Sequence, residues 1–280
     1  MSLYGWNMRV LVTGASGFVG SLLCLTLLQH GHQVFALSRN TDVLNAKRTP
    51  RFSAYTYGDP LPDTDAIVNL AGESIARKRL NQKRSDEIVE SRIAVMKTLR
   101  NSYQNRMPAV VIEASASGIY PEGRRCDENS PISESFIATM IKRIEEAAHS
   151  YFGETRRLVI ARFGVIMGEG GGLMALTALL PRIVLLGGSP SVPWTGCKDA
   201  VRALEFILSH DALEGIVNIT DPRPASAAAL LSKNRRSRPP LPVPAFCLSF
   251  LFDHRCDLIT INHMVFPKKL TDNGFIFEEH

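Results

Sequence analysis

No apolar run in this 280-residue sequence approaches the roughly 18 residues that a membrane-crossing helix needs. The N-terminus also lacks the basic, apolar and small-residue succession of a secretory signal. The five cysteines, Cys24, Cys126, Cys197, Cys247 and Cys256, stand far apart, and no two have CxxC spacing. They indicate neither a disulfide framework nor a thiolate zinc site. The seven histidines are dispersed, with no HExxH, so no metal site is expected. Together these absences predict a soluble chain in a reducing cytoplasm.

What is present is a hydrophobic fraction of 45%, ample for a sizeable core, with a net charge of +5 and a pI of about 9.0. A basic balance suits a cofactor-binding enzyme or a nonspecific affinity for polyanions. The basic residues are scattered. Their densest group, Lys233, Arg235, Arg236 and Arg238, has no neighbouring aromatic platform on which bases could stack. It reads as a solvated loop, and neither a nucleic acid nor a membrane is expected as a partner.

The most informative stretch is Arg9-Val-Leu-Val-Thr-Gly14-Ala-Ser16-Gly17-Phe-Val-Gly20. Three glycines at three-residue spacing follow a short aliphatic run. They lead into an apolar helix over residues 21–30, which carries Leu22, Leu23, Leu25, Leu27 and Leu28. Gly31 stands where a helix C-terminal glycine belongs. A second strand is expected at 33–38. Strand, tight turn, helix and strand within about 30 residues is the context in which such glycines bind a dinucleotide. The turn bares backbone N–H groups, and the helix dipole adds positive charge at the same point, so a pyrophosphate fits. A Cβ would hold the phosphates off the backbone, and such turns can require positive φ.

The end of the second strand bears on which dinucleotide. NAD sites place a carboxylate there for the ribose 2′-hydroxyl, whereas NADP sites place a cation for the 2′-phosphate. The sequence reads Leu37-Ser-Arg39-Asn40, with no acid before Asp42. Arg39 can grip a phosphate and stack on adenine. An arginine at a strand end can also be simply solvated, but the missing carboxylate favours NADP.

Further along, short apolar runs at 10–13, 34–38, 66–69, 110–115 and 158–162 read as parallel strands covered on both faces. Helices are expected over 82–101 and 136–151, the second with Ile137, Met140, Ile141, Ile144 and Ala148 at helical spacing. Alternating strands and helices predict the α/β class, a Rossmann-type doubly wound parallel sheet. The texture changes after Gly164. A corner with Gly168, Gly170, Gly171 and Gly172 is followed by residues 173–186, a strand-like 216–220, and a proline-dense part. The expected division is a dinucleotide-binding domain over 8–165. A smaller mixed lobe over 166–280 would pack on it intimately and close the substrate cleft.

With residues 13–20, Arg39, Asn69-Leu-Ala-Gly72 and Glu113-Ala-Ser115-Ala-Ser117 in view, the chain resembles the extended short-chain dehydrogenase/reductases, the NAD-dependent epimerase/dehydratase superfamily. It is most similar to an atypical branch labelled nucleoside-diphosphate-sugar epimerase or cell-division-inhibitor-like. The branch pattern includes Glu73-Ser-Ile, Ser91-Arg92, Gly164-Val-Ile-Met-Gly168, Leu241-Pro-Val-Pro-Ala-Phe246 and Phe266-Pro-Lys-Lys-Leu270. The resemblance implies that Gly14, Ser16, Gly17, Phe18, Val19 and Gly20 hold the pyrophosphate of NADP(H) and that Arg39 meets its 2′-phosphate. It also implies that Leu70, Ala71, Gly72 and Glu73 lie along the cofactor. A homodimer through the helices at 82–101 and 136–151 is common in the superfamily.

The chain departs from the superfamily pattern at its catalytic pair. Superfamily oxidoreductases use Tyr-x-x-x-Lys on a helix, where the lysine lowers the tyrosine pKa for proton exchange with substrate. None of the six tyrosines, Tyr4, Tyr55, Tyr57, Tyr103, Tyr120 and Tyr151, has a lysine four residues later. Matching puts Ile137 and Ile141 at those two positions. Tyr120, Ser115 and Ser117 are the candidate substitutes, and Glu73 and Arg92 can add charge nearby. The serines suit substrate contact or ordinary strand-end hydrogen bonding. Trp194 and Asp199 fit a Trp…Asp pattern of the branch, but the residues between them depart from its histidine-bearing sequence. Two functions follow from the sequence. One is an NADP-dependent oxidoreductase or epimerase-like enzyme for a small molecule, for example a nucleotide sugar. The other is a non-catalytic NADP-dependent sensor or scaffold.

Overall fold

The structure, a computed structural model, describes residues 7–39, 41, 49–73, 75, 80–104, 106–168, 171, 182–186, 190–232, 240–244 and 262–279. Seven of the strands among the described residues form one sheet: β1 (Arg9–Thr13), β2 (Gln33–Leu37), β3 (Phe52–Tyr55), β4 (Ala66–Asn69), β5 (Val110–Ala116), β6 (Arg157–Phe163) and β7 (Gly215–Ile219). Every pairing in it is parallel, and the spatial order is β3-β2-β1-β4-β5-β6-β7. The order reverses at β1, so the crevice between the carboxyl ends of β1 and β4 is the expected ligand site. This is the doubly wound α/β sheet that the sequence predicts.

Alternation along each strand divides the core into two faces. Val10, Val12, Val68 and Ile112 pack on one side with Leu23, Leu27 and Leu204. Leu11, Ile67 and Val111 pack on the other with Ile88, Met96 and Ile141. The first face is covered by α1 (Phe18–Gln29) and α4 (Cys197–Ser209), the second by α2 (Gln82–Tyr103) and α3 (Phe136–Phe152). Side-chain caps start the last two named helices. Asn81 accepts from the Arg84 N–H and Ser135 from the Ala138 N–H. α1 begins three residues before the expected start, because Gly17 takes the extended conformation of an N-cap.

Two elements differ from the expectation. β3 is an edge strand of four residues, Phe-Ser-Ala-Tyr, too short and too polar to announce itself as an apolar run. β7 and α4 lie past the expected boundary at 165, yet β7 pairs with β6 in the main sheet and α4 covers one of its faces. The sheet therefore draws on residues well beyond 165. Later segments stitch the chain together in short pairs: Trp194–Gly196 with Val165–Met167, Arg182–Leu186 with Pro240–Pro244, and Met264–Val265 with Arg125–Cys126. Asp42, Ser74, Gly170, Gly172, residues 173–181, the basic group at 233–238 and Phe246 lie outside the described residues.

One buried arginine ties β6 to α4. The Arg157 Nη1 donates to the carbonyls of Ile207, His210 and Leu213 at 2.8–3.1 Å, and its Nη2 donates to that of Leu208 at 3.0 Å. These include the carbonyls that a helix end leaves without partners. A side chain without donors there would leave the Leu208 and Leu213 carbonyls unpaired, at about 1–3 kcal/mol each, while those of Ile207 and His210 keep the N–H groups of His210 and Leu213. Arg157→Leu is expected to cost at least about 2 kcal/mol and to lower Tm by roughly 4–8 °C or more, read by thermal melts. A Tm within 2 °C of the parent, where a one-kcal/mol loss shows as about 2–4 °C, would refute this role.

Candidate functional site

The turn after β1 is set by backbone contact. Gly14 has φ +63°, and a Cβ on it would stand 2.9 Å from the Leu70 carbonyl oxygen. The Gly17 N–H donates to the Gly14 carbonyl at 2.8 Å. A Cβ on Gly20 would meet that same carbonyl oxygen at 2.3 Å. The glycines thus let α1 press against the end of β1. The Gly17 cap offers α1 no side-chain hydrogen bond. The N–H groups of Phe18, Val19 and Gly20 are first-turn donors, which an α-helix cannot satisfy internally. An anion, such as a dinucleotide pyrophosphate, fits this open N-terminus, with the dipole adding to the attraction. Ser16 and Ser38 hydroxyls meet at 2.8 Å and hold the turn to the end of β2.

The β4 end is fixed to the turn by Thr13. Its Oγ1 accepts from the N–H groups of Leu70 and Ala71, both at 3.1 Å, and donates to Asn69 Oδ1. Asn69 Nδ2 donates in turn to Glu113 Oε2 on β5 at 2.6 Å. All three side chains in this chain are buried. The second oxygen of Glu113 has no hydrogen-bond partner. Burial pushes the Glu113 carboxyl up to about 8, against the opposing pull of the Arg92 guanidinium and the Asn69 bond.

Arg39 is 82% exposed and its Nη1 is 3.6 Å from Glu73 Oε1. Glu73 also takes a 2.8 Å bond from Arg84 Nη2, and its N–H donates to Ser91 Oγ. The Glu73 carboxylate is therefore shared between two arginines, and Arg39 is held loosely enough to turn toward a phosphate. Phe18, at the start of α1, packs against the glycine segment that follows β6. A Cβ on Gly171 would stand 2.2 Å from Phe18 Cγ, and one on Gly168 would be 2.8 Å from its Cζ.

The candidate catalytic residues do not share one environment. Tyr120 is 1% exposed, and its hydroxyl donates to Asn218 Oδ1 on β7 at 2.9 Å. The Arg162 guanidinium lies 4.9 Å from the Tyr120 ring centre. Burial raises the Tyr120 phenol pKa, opposite to the shift that a proton-exchanging tyrosine needs. The sequence names Tyr120 as a candidate for proton exchange; in the fold its side chain is buried. Ser117 is also buried, inside the 3₁₀ turn Ser117–Ile119. Ser115 is half-buried at the end of β5, and its Oγ donates to Glu145 Oε1 at 2.5 Å. With its proton so placed, Ser115 has acceptor capacity left to offer. Ile137 and Ile141 are both buried in the core of that face.

Glu145 and Arg162 escaped the sequence reading. Arg162 Nε and Nη2 form a fork on the two oxygens of Glu145 at 2.8 and 2.6 Å. Two signals were available. Glu145 follows Ile141 by one turn on the buried face of α3, and Arg162 interrupts an apolar strand. Charges in such places are kept only when paired. Trp194 and Asp199 hold the fold together instead of facing a ligand. Trp194 Nε1 donates to the Arg223 carbonyl at 3.0 Å, and Asp199 Oδ2 accepts from the N–H groups of Glu278 and Glu279. No group of three or more His, Cys, Asp or Glu side chains among the described residues could hold a metal, and no helix among them is long and apolar enough to cross a membrane.

The sequence pattern of the NAD dependent epimerase/dehydratase family matches residues 10–220. The chain belongs to that family. An epimerase family protein of Mycobacterium bovis, Mb2239, is 30% identical over 293 residues, covering 98% of this chain and 95% of its own. The Bacillus subtilis protein YfhF is 29% identical over 287 residues, covering 96% and 94%. The crystal structure of human epimerase family protein SDR39U1 with NADPH superimposes with a TM-score of 0.81 at 27% identity, covering 97% of this chain and 95% of that one. UDP-glucuronic acid 4-epimerase from Bacillus cereus shares the fold, with a TM-score of 0.74 at 20% identity. The family places this chain among atypical extended short-chain dehydrogenase/reductases.

The Glu113 carboxyl gives the fold a pH dependence. Between about pH 4.5 and 8 the folded chain keeps a proton that the unfolded chain has released. Stability from this group is full at the acid end, falls as pH rises, and levels off above about 8. Glu113→Gln keeps an acceptor for Asn69 and cannot ionise. Its Tm advantage over the parent should grow by several degrees from pH 5 to pH 8.5. Parallel Tm curves for the two proteins would overturn the assignment.

Proposed function

We propose that this chain is an NADP(H)-dependent oxidoreductase or epimerase-like enzyme acting on a small molecule at the carboxyl ends of β4 and β5, with a nucleotide sugar the first substrate class to test. The observation that carries the proposal is the uncapped N-terminus of α1 above the Gly14–Gly17–Gly20 turn, with Arg39 standing solvated at the end of β2. The NADPH in the human relative supports the same cofactor here. The nicotinamide, when bound, supplies or accepts hydride. Phe18, Val19 and Gly20 present their N–H groups to the pyrophosphate, and Ser16 stiffens the turn through Ser38. Arg39 meets the 2′-phosphate, released from Glu73 by the stronger anion. Leu70, Ala71 and Gly72 flank the cofactor, aligned by Thr13.

Ser115 offers its lone pairs to a substrate hydroxyl while Glu145 holds its proton. Tyr120 and Ser117 shape the wall behind it. The later part of the chain closes the cleft and excludes water, a role supported by the contact of Gly168 and Gly171 with Phe18. At the start of α4, Glu279 Oε2 accepts from the N–H groups of Lys198 and Asp199 and fastens the C-terminal tail beside Cys197. Proton transfer without the Tyr-Lys pair is expected to be slower by about 10²–10⁴-fold than in enzymes that keep it.

Calorimetry should find NADPH bound more tightly than NADH. Arg39→Ala should weaken NADPH by roughly tenfold to a hundredfold, the worth of one charge-assisted contact, and leave NADH nearly unchanged. Equal affinity for both cofactors would sink the NADP assignment. Cofactor oxidation or reduction over carbonyls, alcohols and nucleotide sugars then tests the enzyme. Firm NADPH binding with no turnover anywhere in that panel would replace it with the sensor.

A further inference from the structure

Arg92, on α2, reaches the cleft floor between β4 and β5. It fits there because Gly72 has no side chain: a Cβ on Gly72 would stand 2.9–3.1 Å from Arg92 Cγ, Nε and Cζ. Its Nη1 donates to the Ala114 carbonyl at 3.1 Å, the one hydrogen-bond partner of this guanidinium among the described residues. The guanidinium is packed deeply enough that desolvation lowers its pKa, yet the residue keeps part of its surface exposed. The side chain thus lies against the carboxyl ends of β4 and β5, packed on Gly72 and bonded to Ala114. The carboxyl nearest to it, Glu113, spends one oxygen on Asn69 and aims no hydrogen-bonded oxygen at Arg92. Arg92 is thus a fixed cation with spare donors, packed on Gly72 and bonded to the carbonyl of the residue before Ser115. A planar fork with spare donors matches a carboxylate, which accepts two parallel bonds.

We propose that Arg92 anchors the second ligand of this cleft by a carboxylate group. The proposal deepens the function stated above, since it gives the substrate a chemical class. It also requires that Arg92 bind carboxylates whether or not the cofactor is present.

The test uses the full chain labelled with ¹⁵N-arginine and titrated with acetate at pH 6.5, with potassium chloride at matched ionic strength and neutral acetamide as controls. Arg92→Lys identifies the Arg92 Nε–H signal by its loss. That signal should shift saturably with acetate and stay still with chloride and acetamide. Alanine methyl signals near the cleft, Ala114 among them, should report acetate binding that is at least tenfold weaker in Arg92→Gln. The Arg92→Lys protein, which keeps the charge, should lose less. An unmoved Arg92 signal, an equal response to chloride, or undiminished acetate binding in a folded Arg92→Gln protein would overturn the proposal. Should Arg92→Gln fail to fold, the Arg92 signal in the parent still decides. The titration is repeated with NADPH added. Loss of NADPH binding alone would strike the cofactor assignment and leave the acetate result standing.

Discussion

The hydroxyl of Thr13 is the junction on which the cleft depends. It belongs to β1, yet it accepts from two N–H groups of the loop after β4, and through Asn69 it reaches Glu113 on β5. Three neighbouring strands therefore end in one hydrogen-bonded line. A parallel sheet needs such a device at its carboxyl edge, where the ladder stops and backbone groups lose their partners. The line also sets the height of the loop 70–72 against Gly14, whose missing Cβ allows the approach. The Gly14–Gly20 turn, the loop 70–72 and the Arg92 side chain packed on Gly72 all lie beside it.

How much of this was legible depends on the kind of signal. The glycine turn, the aliphatic strands and the apolar stripes of α2 and α3 repeat over many residues, so their periods stand out. β3 did not stand out, since four residues at a sheet edge, of which Phe52 alone is buried, carry no run. β7 was visible as a strand, but its place was not. A strand read after a glycine corner and before a proline-rich part looks like the start of another lobe. Only the pairing with β6 brings it home, and pairing is a long-range fact that no local pattern encodes.

The site residues divide along the same line. Gly14, Gly17 and Gly20 were readable as turn residues because each answers a local demand of backbone contact. Tyr120 was legible as a polar candidate after β5, but its burial was not. Its partner, Asn218, lies 98 residues away on β7. Glu145 and Arg162 likewise meet across 17 residues, and each taken singly looks like a defect in an apolar element. Paired, they explain each other.

That pair also accounts for what replaced the Tyr-Lys machinery on α3. With Ile137 and Ile141 packed inward, the helix face that would carry a phenol and an ammonium carries neither. The next turn carries a carboxylate, and a carboxylate unpaired at that depth would be costly. Arg162 neutralises it and fixes both of its oxygens, and Oε1 also accepts a hydrogen bond from the Ser115 hydroxyl. The polarity of the cleft follows from this order. Cations come from α2 and the end of β2, and a lone-pair acceptor comes from β5. The carboxyl edge so built sets cations across from a lone-pair acceptor.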